Sequence, residues 1–359
     1  MTTHADAALA PYTTLGVGGP ARWLVETQNE DELLAAVRFA RSRSVPFFVM
    51  GGGSNLLVSD QGFPGVVVRV LAKAFDLERD GKGVRIRAEA GGGWDAVVTA
   101  AVEADAQGIE CLAGIPGSVG GTPVQNVGAY GQEVASTIVR VRAIDLESER
   151  PVEFTQAECG FTYRQSIFNT THRGRYAITR VDYALTPGGA PHIEYRDLKQ
   201  HFAGKGAPTL LETAAAVRAI RARKGMVLSP DDPDSRSAGS FFKNPIVRAE
   251  VVRKIAAIKG CKAEEVPQFP AGAAAAPGCV KLSAAWLMEL AGFQKGYTMG
   301  NAGLSTKHVL AIVNRGGATA AEIVALRDAV VENVRAKTGI GLGQEPVLVG
   351  FPRGKDRRA

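Results

Sequence analysis

Short apolar runs alternate with amphipathic patterns over about the first 205 residues, which predicts a mixed fold of helices and strands. Apolar side chains recur at helical spacing in residues 31–40 and 94–106, and the first of these segments opens on acidic residues that suit a helix N-terminus. Apolar runs and period-two alternation predict strands at residues 46–50, 65–70, 84–90, 141–146 and 179–185.

The rest of the chain has a more helical pattern. Loops rich in Pro, Gly and Asp are predicted at residues 229–239 and 270–278, and the last predicted helix opens with the Thr319 and Glu322 spacing of a capping box. Two lobes, one glycine-rich and one helical, suit a cofactor domain with a substrate lid. Helical periodicity covers residues 212–224, 247–259, 281–291 and 319–336, and a final strand at 346–350 is predicted to return to the first lobe.

Two glycine-rich segments are the strongest chemical signal in the sequence. Residues 114–133 carry six glycines, two prolines and one charge, and residues 51–55 read GGGSN after the apolar run at 46–50. Glycine permits positive φ and close approach to the main chain, so bare N–H groups can form a nest for an anion such as a pyrophosphate. An ordinary glycine-rich surface loop is the alternative.

A dinucleotide-binding fingerprint is a competing interpretation. Gly91, Gly93 and Ala96 give a G-x-G-x-x-A pattern between a strand and a helix, and residues 16–21 give a second one. Glu110 has about the spacing of the acidic residue that such a unit requires, but no strand-like run precedes it. Both matches are interpreted as accidental.

Composition restricts the class of protein. The chain has 359 residues, 45% hydrophobic and 22% charged, so two or three globular domains are expected. The net charge of +6 comes from scattered Lys and Arg, apart from a basic tail at 353–358. No basic face with interleaved aromatics is visible, so the excess suits small anionic ligands or solubility better than nucleic acid.

Targeting and metal signals are weak. The first ten residues lack the features of a secretory signal, and no apolar run approaches membrane-spanning length, so we expect a cytoplasmic protein without a membrane partner. The four cysteines have no metal-site spacing, so reduced thiols and no metal are predicted.

Five motifs together carry a family resemblance. They are GGGSN at 51–55, the glycine-rich segment at 114–133, YRQSIF at 163–168, GSFFKNP at 239–245 and KLSAAWLMELAGFQKGY at 281–297. In this order, over about residues 13–350, the chain resembles the UDP-N-acetylenolpyruvoylglucosamine reductases, in particular the subgroup with an inserted tyrosine loop. The resemblance implies NADPH-dependent reduction, through FAD, of the enolpyruvyl group to give UDP-N-acetylmuramate for peptidoglycan.

The resemblance also implies a fold. It is an α+β fold: an FAD-binding fold of the vanillyl-alcohol-oxidase (PCMH) type in two lobes, followed by a C-terminal α+β substrate domain. The implied boundaries are 1–70 joined by 340–359 for the first lobe, 71–205 for the second, and 206–339 for the substrate domain. Relatives in that superfamily often hold flavin covalently through His or Cys, and neither glycine-rich segment contains these residues, so dissociable FAD is expected.

Three residues match catalytic positions of the family. The resemblance implies that Arg164 binds the enolpyruvyl carboxylate, which suits a planar, permanently charged fork. It implies that Ser240 gives the proton to C2, and that Glu345 acts with Arg164 on the enol intermediate. The family pattern has Pro before that Glu and an acidic residue two before it, whereas this chain has Gly343 and Gln344.

Substrate and cofactor contacts follow from the same motifs. Tyr195, Tyr130, Lys224, Asn244 and His308 are implied substrate-side residues, although ordinary packing or surface roles remain open for each. The implied FAD contacts are Gly51, Gly52, Gly53, Ser54, Asn55, Gly114, Ile115, Pro116, Gly117, Ser118, Gly120, Gly121, Asn126, Gly128 and Ala129.

Two other functions are considered. An FAD-dependent alcohol oxidase of the same superfamily would keep the flavin but leave Ser240 and Glu345 without a role. A nucleotide-binding or nucleic-acid-binding module would use the net positive charge and the glycine nests, and the dispersed charges argue against it. A monomer that takes a UDP-sugar and NADPH is the expectation.

Overall fold

The computed structural model describes residues 1–81, 83–272 and 275–352. The predicted basic tail at 353–358 therefore lies outside the described residues. The chain divides into two compact units, and each contains segments that are distant in sequence. Unit 1 comprises Met1–Ala8, Pro20–Ser54 and Phe63–Val227, and unit 2 comprises Leu9–Gly19, Asn55–Gly62 and the chain from Leu228 onward.

Several helices begin at side-chain caps. Asn29 accepts from the Glu32 N–H at the start of the first helix, and Thr209 and Thr319 form capping boxes with Glu212 and Glu322, the second as predicted. The helices are α1 (Glu30–Ser42), α2 (Trp94–Glu103), α3 (Arg196–Phe202), α4 (Leu210–Arg223), α5 (Ala249–Lys259), α6 (Ala284–Leu290) and α7 (Ala320–Thr338).

The strands are mostly short. They are β1 (Thr2–Ala8), β2 (Pro20–Thr27), β3 (Phe47–Met50), β4 (Leu56–Val58), β5 (Phe63–Val70), β6 (Phe75–Asp80), β7 (Gly83–Glu89), β8 (Ala106–Gln107), β9 (Gly128–Ala129), β10 (Gln132–Glu133), β11 (Ile138–Asp145), β12 (Arg150–Thr155), β13 (Tyr176–Pro187), β14 (Ile246–Arg248), β15 (Gln268–Pro270), β16 (Cys279–Leu282), β17 (Thr298–Met299), β18 (Ala302–Leu304), β19 (Ile312–Asn314) and β20 (Val347–Val349).

In the described residues, unit 1 contains two large sheets and the small hairpin of β9 and β10. The first has the order β1-β2-β5-β3, with β3 and β2 parallel to β5, and α1 packs its buried face on Val25, Val66 and Val68. The second has the order β12-β11-β13-β7-β6 and is antiparallel. Helices α2 and α4 cover its apolar face, and Trp94 is 1% exposed in the resulting core.

Unit 2 combines short sheets with helices α5, α6 and α7. Leu15, Val17 and Leu57 join its core from the early part of the chain. Strand β20 pairs in parallel with β4, so the predicted final strand does return to a segment of the predicted first lobe.

The predicted elements are largely present, with two corrections. The helix predicted from 281 begins at Ala284, because Cys279–Leu282 form the central strand between β14 and β15. The helix predicted from 247 begins at Ala249, because Ile246–Arg248 pair with the same strand. Strands β1, β2, β6 and β12 were not predicted, and the largely exposed β1, β6 and β12 lack an apolar run.

The boundaries of the two compact units differ from the domain boundaries predicted from the sequence. Helix α4, assigned by sequence to the substrate domain, packs Leu210, Val217 and Ile220 into the main core of unit 1. Residues 340–350, assigned to the first lobe, lie in unit 2, where Ile340 and Leu342 are core residues. The three-domain division stays a prediction.

The glycine pattern at residues 91–96 is part of the packing of unit 1 and does not form a dinucleotide-binding unit. Strand β7, which precedes it, pairs antiparallel with both β13 and β6, whereas a Rossmann unit requires parallel neighbours. A Cβ on Gly91 would lie 2.3 Å from the Val70 carbonyl oxygen, so tight packing explains this glycine. Among the described residues, no helix has the length and apolar character needed to cross a bilayer.

Candidate active site

The two glycine-rich loops predicted to hold FAD contact each other in unit 1. A Cβ on Gly52 would lie 2.7 Å from the Cα of Gly117, and one on Gly51 would lie 2.8 Å from the Ser118 hydroxyl. The hydroxyl of Ser54 donates to the Pro116 carbonyl at 2.8 Å. Main chain therefore faces main chain at Gly52 and Gly117, where there is no room for a larger side chain.

The facing loops offer a set of backbone donors. Within the described part of the chain, no hydrogen bond uses the N–H groups of Gly51, Gly52, Gly53, Ile115, Gly117 or Ser118. Gly53 and Gly117 have φ of 67° and 133°, which only glycine adopts readily. Unused N–H groups in adjacent bends suit a pyrophosphate, so these residues fit the dinucleotide that the sequence implies.

Other glycines of the second loop shape it instead of offering donors. The Gly120 and Gly121 N–H groups donate to the carbonyls of Ala90 and Ser118. Gly114 donates to the Asp95 carboxylate at 2.6 Å, and its carbonyl accepts from Arg221. These hydrogen bonds fix the conformation of the second loop at the three glycines.

Asn126 is held entirely by protein groups. It is 1% exposed, its amide nitrogen donates to Glu133 and to the Thr162 carbonyl, and its amide oxygen accepts from the Ala135 N–H. The sequence suggested that this amide faces the cofactor. The structure shows it tying the hairpin Gly128–Glu133 to the segment that carries Arg164.

That hairpin has a strained two-residue turn. Tyr130 and Gly131, between the paired strands β9 and β10, have φ of 50° and 90°, the sign pattern of a type I′ turn. A tyrosine rarely adopts positive φ, and strain of this kind concentrates at functional positions. The Tyr130 ring is buried, and burial raises the pKa of its phenol to about 12, so the hydroxyl stays protonated.

Arg164, from a different segment, packs against the same hairpin. Its guanidinium donates to the Gly128 carbonyl at 2.6 Å, and a Cβ on Gly128 would lie 2.9 Å from Nη1. Arg164 itself has φ of 57°, a second strained position. A Cβ on Gly128 would also lie 2.7 Å from Glu133 Cγ and 2.9 Å from the Gln132 carbonyl oxygen, so the hairpin and Arg164 together leave room only for glycine here.

The predicted substrate residues of unit 1 gather around Tyr130. The Tyr195 ring lies 5.2 Å from it in edge-to-face geometry, and the Lys224 Nζ lies 5.8 Å from the ring centre. Lys224 caps α4 and forms an ion pair with Asp197. The pairing of Asp197 with Lys224 was not predicted from the sequence. The available signal was its position, because Asp197 lies only two residues after Tyr195, the predicted phosphate-binding tyrosine.

Arg221 was also missed. It is 6% exposed, and its guanidinium donates to the carbonyls of Gly114 and Met226, while burial lowers its pKa. Arg221 lies one helical turn before Lys224, so the sequence could have predicted that both side chains are on the same face of the helix. This arginine joins the end of α4 to the second glycine loop.

Unit 2 brings together Ser240 and His308. Ser240 Oγ lies 3.1 Å from His308 Nε2, and either atom can donate depending on the tautomer. The backbone of the neighbouring Phe241 donates to Leu310, so the GSFFKNP segment runs beside the segment that carries the histidine. The His308 N–H donates to the buried Ser305 hydroxyl, which fixes the start of this turn.

Glu345 lies on a backbone segment that is hydrogen-bonded to the segment carrying Ser240. Its N–H donates to the Phe241 carbonyl at 2.9 Å, and Phe242 pairs with Gln344 in an antiparallel bridge. The side-chain amide of Asn55 donates to the Glu345 carbonyl at 3.2 Å. Ser240, His308 and Glu345 are thus carried on adjacent backbone segments, whereas Arg164 belongs to unit 1.

Two side chains of this region have structural partners. Asn244 accepts from the Ala284 N–H at the start of α6. Gln344, where the family pattern has proline, accepts from the buried Arg327 and donates to the Pro346 carbonyl. The departure from the pattern therefore supplies a partner for a buried cation. In the described residues, no group of three or more His, Cys, Asp or Glu side chains could hold a metal ion.

Comparisons with known proteins identify the family of this chain. Residues 21–154 match the FAD binding domain, and residues 231–349 match the C-terminal domain of UDP-N-acetylenolpyruvoylglucosamine reductase. Reductases of that name from Thermobifida fusca and Nocardia farcinica are 45% and 46% identical, with 98% and 97% of this chain and 99% and 90% of theirs aligned.

A solved structure supports the fold. The UDP-N-acetylenolpyruvylglucosamine reductase of Thermus caldophilus is 28% identical, covers 97% of this chain and 98% of its own, and superposes with a TM-score of 0.62. The predicted α+β architecture with an FAD-binding fold is confirmed. On the strength of these full-length matches, the chain belongs to the UDP-N-acetylenolpyruvoylglucosamine reductase family.

Proposed function

We propose that this protein reduces the enolpyruvyl group of UDP-N-acetyl-enolpyruvoylglucosamine to give UDP-N-acetylmuramate, using FAD and NADPH, for peptidoglycan synthesis. The observation that carries the proposal is the pair of facing glycine loops with unused N–H groups, in a chain of this family. The family match does not favour the alcohol-oxidase alternative.

The cofactor is held by main chain. FAD, when bound, supplies hydride transfer from NADPH to the substrate. The N–H groups of residues 51–53, 115, 117 and 118 hold its pyrophosphate, and Gly114, Gly120, Gly121 and Asn126 maintain the shape of the loops around it. Neither loop offers a His or Cys for a covalent bond, so FAD dissociates.

The reacting end of the substrate is handled by charge and by proton transfer. Arg164 binds the carboxylate, where negative charge develops as hydride arrives at C3. Ser240 gives the proton to C2: its O–H bond breaks as the C–H bond forms, and a proton on His308 Nε2 restores the hydroxyl. The 3.1 Å contact between Ser240 and His308 supports this relay. Glu345 acts with Arg164 on the enol intermediate.

The nucleotide end is handled by the group around Tyr130. Tyr130, kept protonated by burial, and Tyr195 donate their hydroxyls to the diphosphate, and Lys224 provides a point charge. Because Lys224 is paired with Asp197, the diphosphate competes with this carboxylate for the ammonium. Asn244 positions the serine segment through α6. The enzyme acts as a cytoplasmic monomer that binds neither nucleic acid nor membrane.

A visible absorbance experiment tests the proposal. Purified protein should be yellow, bleach with NADPH without oxygen, and recolour when the enolpyruvyl nucleotide is added, with ping-pong kinetics. Bleaching without recolouring by this nucleotide contradicts the substrate assignment. Rapid oxygen uptake with a small alcohol would instead favour the oxidase, and colourless protein with salt-dependent DNA affinity would favour a binding module.

A further inference from the structure

In the segment that precedes Tyr195, both backbone groups of His192 are hydrogen-bonded to buried side chains. The Glu110 carboxylate accepts from the His192 N–H at 2.9 Å, and the Cys111 thiol donates to the His192 carbonyl at 3.1 Å. Two consecutive residues thus bind both backbone groups of a residue 81 or 82 positions away in sequence. Glu110 and Cys111 are both 0% exposed.

Glu110 is a buried carboxylate held by amides. Its second oxygen accepts from the Gly108 N–H at 2.8 Å, and no Lys or Arg in the described part of the chain forms an ion pair with it. A buried charge is costly unless hydrogen bonds compensate it, so removing one of its two N–H partners would destabilise this arrangement. The residue is therefore suited to hold a loop in one position.

Cys111 connects the same point to the Tyr130 hairpin. Its N–H donates to the side-chain oxygen of Gln132 at 2.8 Å. Burial and the neighbouring Glu110 carboxylate raise the pKa of its thiol, so the sulfur keeps the hydrogen that it donates. Nothing in the proposed reaction uses this thiol.

The His192 ring contacts the Tyr130 hairpin directly. A Cβ on Gly131 would lie 2.7 Å from His192 Nε2, so the ring rests directly on the turn that carries Tyr130. The segment from residue 189 to 194 has no helix or strand of its own. Three residues after His192, Tyr195 meets the Tyr130 ring.

We propose that Glu110 and Cys111 are positioning residues that anchor the loop at His192 and thereby place Tyr195 against Tyr130 for substrate binding. The part concerning substrate rests on the proposed function. The anchor touches no substrate or cofactor and acts through Tyr195. Losing one of its hydrogen bonds should shift the loop equilibrium by about two- to tenfold.

Amide hydrogen exchange on the FAD-loaded protein tests the anchor without substrate. Cys111→Ala should speed exchange of residues 192–195 by about two- to tenfold, and Cys111→Ser, which restores a donor, should return it toward the wild-type rate. Cys159→Ala is the matched control, because Cys159 is equally buried in the same core and makes no side-chain hydrogen bond to this loop. Glu110→Gln should act like Cys111→Ala.

Kinetics test the consequence for substrate. Cys111→Ala and Glu110→Gln should raise the KM for the UDP substrate about two- to tenfold, with flavin reduction by NADPH unchanged, and neither should add to the effect of Tyr195→Ala. Unchanged exchange at 192–195 in Cys111→Ala overturns the anchor, and unchanged KM in a variant with faster exchange overturns its role in substrate binding. Wild-type protein that never recolours with the nucleotide contradicts the proposed function alone, since exchange still decides the anchor.

Discussion

The hydroxyl of Ser240 lies 3.1 Å from Nε2 of His308, 68 residues further along the chain. A serine hydroxyl is a weak acid, so a proton donor of this kind needs a neighbour that supplies the next proton. The contact provides that neighbour within unit 2.

His308→Gln should therefore slow reoxidation of the reduced flavin by substrate by about 10²-fold or more, the usual contribution of a proton-transfer group. Flavin reduction by NADPH should be unchanged, because no proton from Ser240 enters that step. Stopped-flow absorbance separates the two halves, with Ser240→Ala as the comparison. Equal slowing of both halves would remove His308 from the relay.

Gly52→Ala should weaken FAD binding. The new Cβ would meet the Gly117 Cα at 2.7 Å and push the loops apart. Such overpacking costs about 1–3 kcal/mol, which corresponds to roughly a 5- to 150-fold higher Kd. Gly206→Ala is the matched control, because its Cβ would meet nothing within 4 Å. Flavin fluorescence titration of the apoprotein measures both; equal affinities would contradict loop contact at the cofactor.

Gly128→Ala should displace Arg164. The added methyl would lie 2.9 Å from Arg164 Nη1, 2.7 Å from Glu133 Cγ and 2.9 Å from the Gln132 carbonyl oxygen, so both the hairpin and the guanidinium that it binds must shift. We expect a fall in kcat/KM for the enolpyruvyl substrate of about tenfold or more, since small misplacements of a binding group are costly. Arg164→Lys should show a similar loss, and FAD content should stay normal in both. A Gly128→Ala enzyme with wild-type kcat/KM would contradict the role of Arg164.

Asp197→Asn should free Lys224 for the diphosphate. A partly exposed ion pair contributes roughly 0.2–1 kcal/mol, so we expect a KM about 1.5- to 5-fold lower at low salt. Lys224→Gln should raise KM, and added salt should reduce the difference between Asp197→Asn and wild type. An unchanged or higher KM in Asp197→Asn would show that the carboxylate does not compete with the ligand.

The effect of Tyr130 on stability should depend on pH only in the alkaline range. Burial raises its folded pKa to about 12, above the ordinary value of 10.0, so the folded state keeps a proton that the unfolded state releases. The resulting contribution is fully present below pH 10 and is lost as pH rises toward 12. Wild type should lose stability relative to Tyr130→Phe between pH 10 and 11 in urea melts. A difference that is constant with pH would contradict the buried, protonated phenol.

Helices and strands differ in how well the sequence predicts their presence and their bounds. Helix α7 was predicted with its capping box because caps and helical spacing are local signals. The start of α6 was misplaced because pairing of β16 with two other strands overrides its helical pattern. Strand β12 was missed because it is largely exposed and has no apolar run, and its pairing with β11 forms only in the folded sheet.

The sequence by itself determined the family and located the two glycine loops, since these depend on ordered motifs, whereas the catalytic roles of Arg164, Ser240 and Glu345 stay a prediction. Only the tertiary structure decided which distant groups meet. The Gly128 carbonyl accepts from Arg164, and the Asn126 amide is hydrogen-bonded to protein groups. Glu110 and Cys111 are hydrogen-bonded to the backbone of His192. The physical reason is that such contacts join residues far apart in the chain. Their distances are set by the packing of strands and helices between them, which local sequence patterns do not encode.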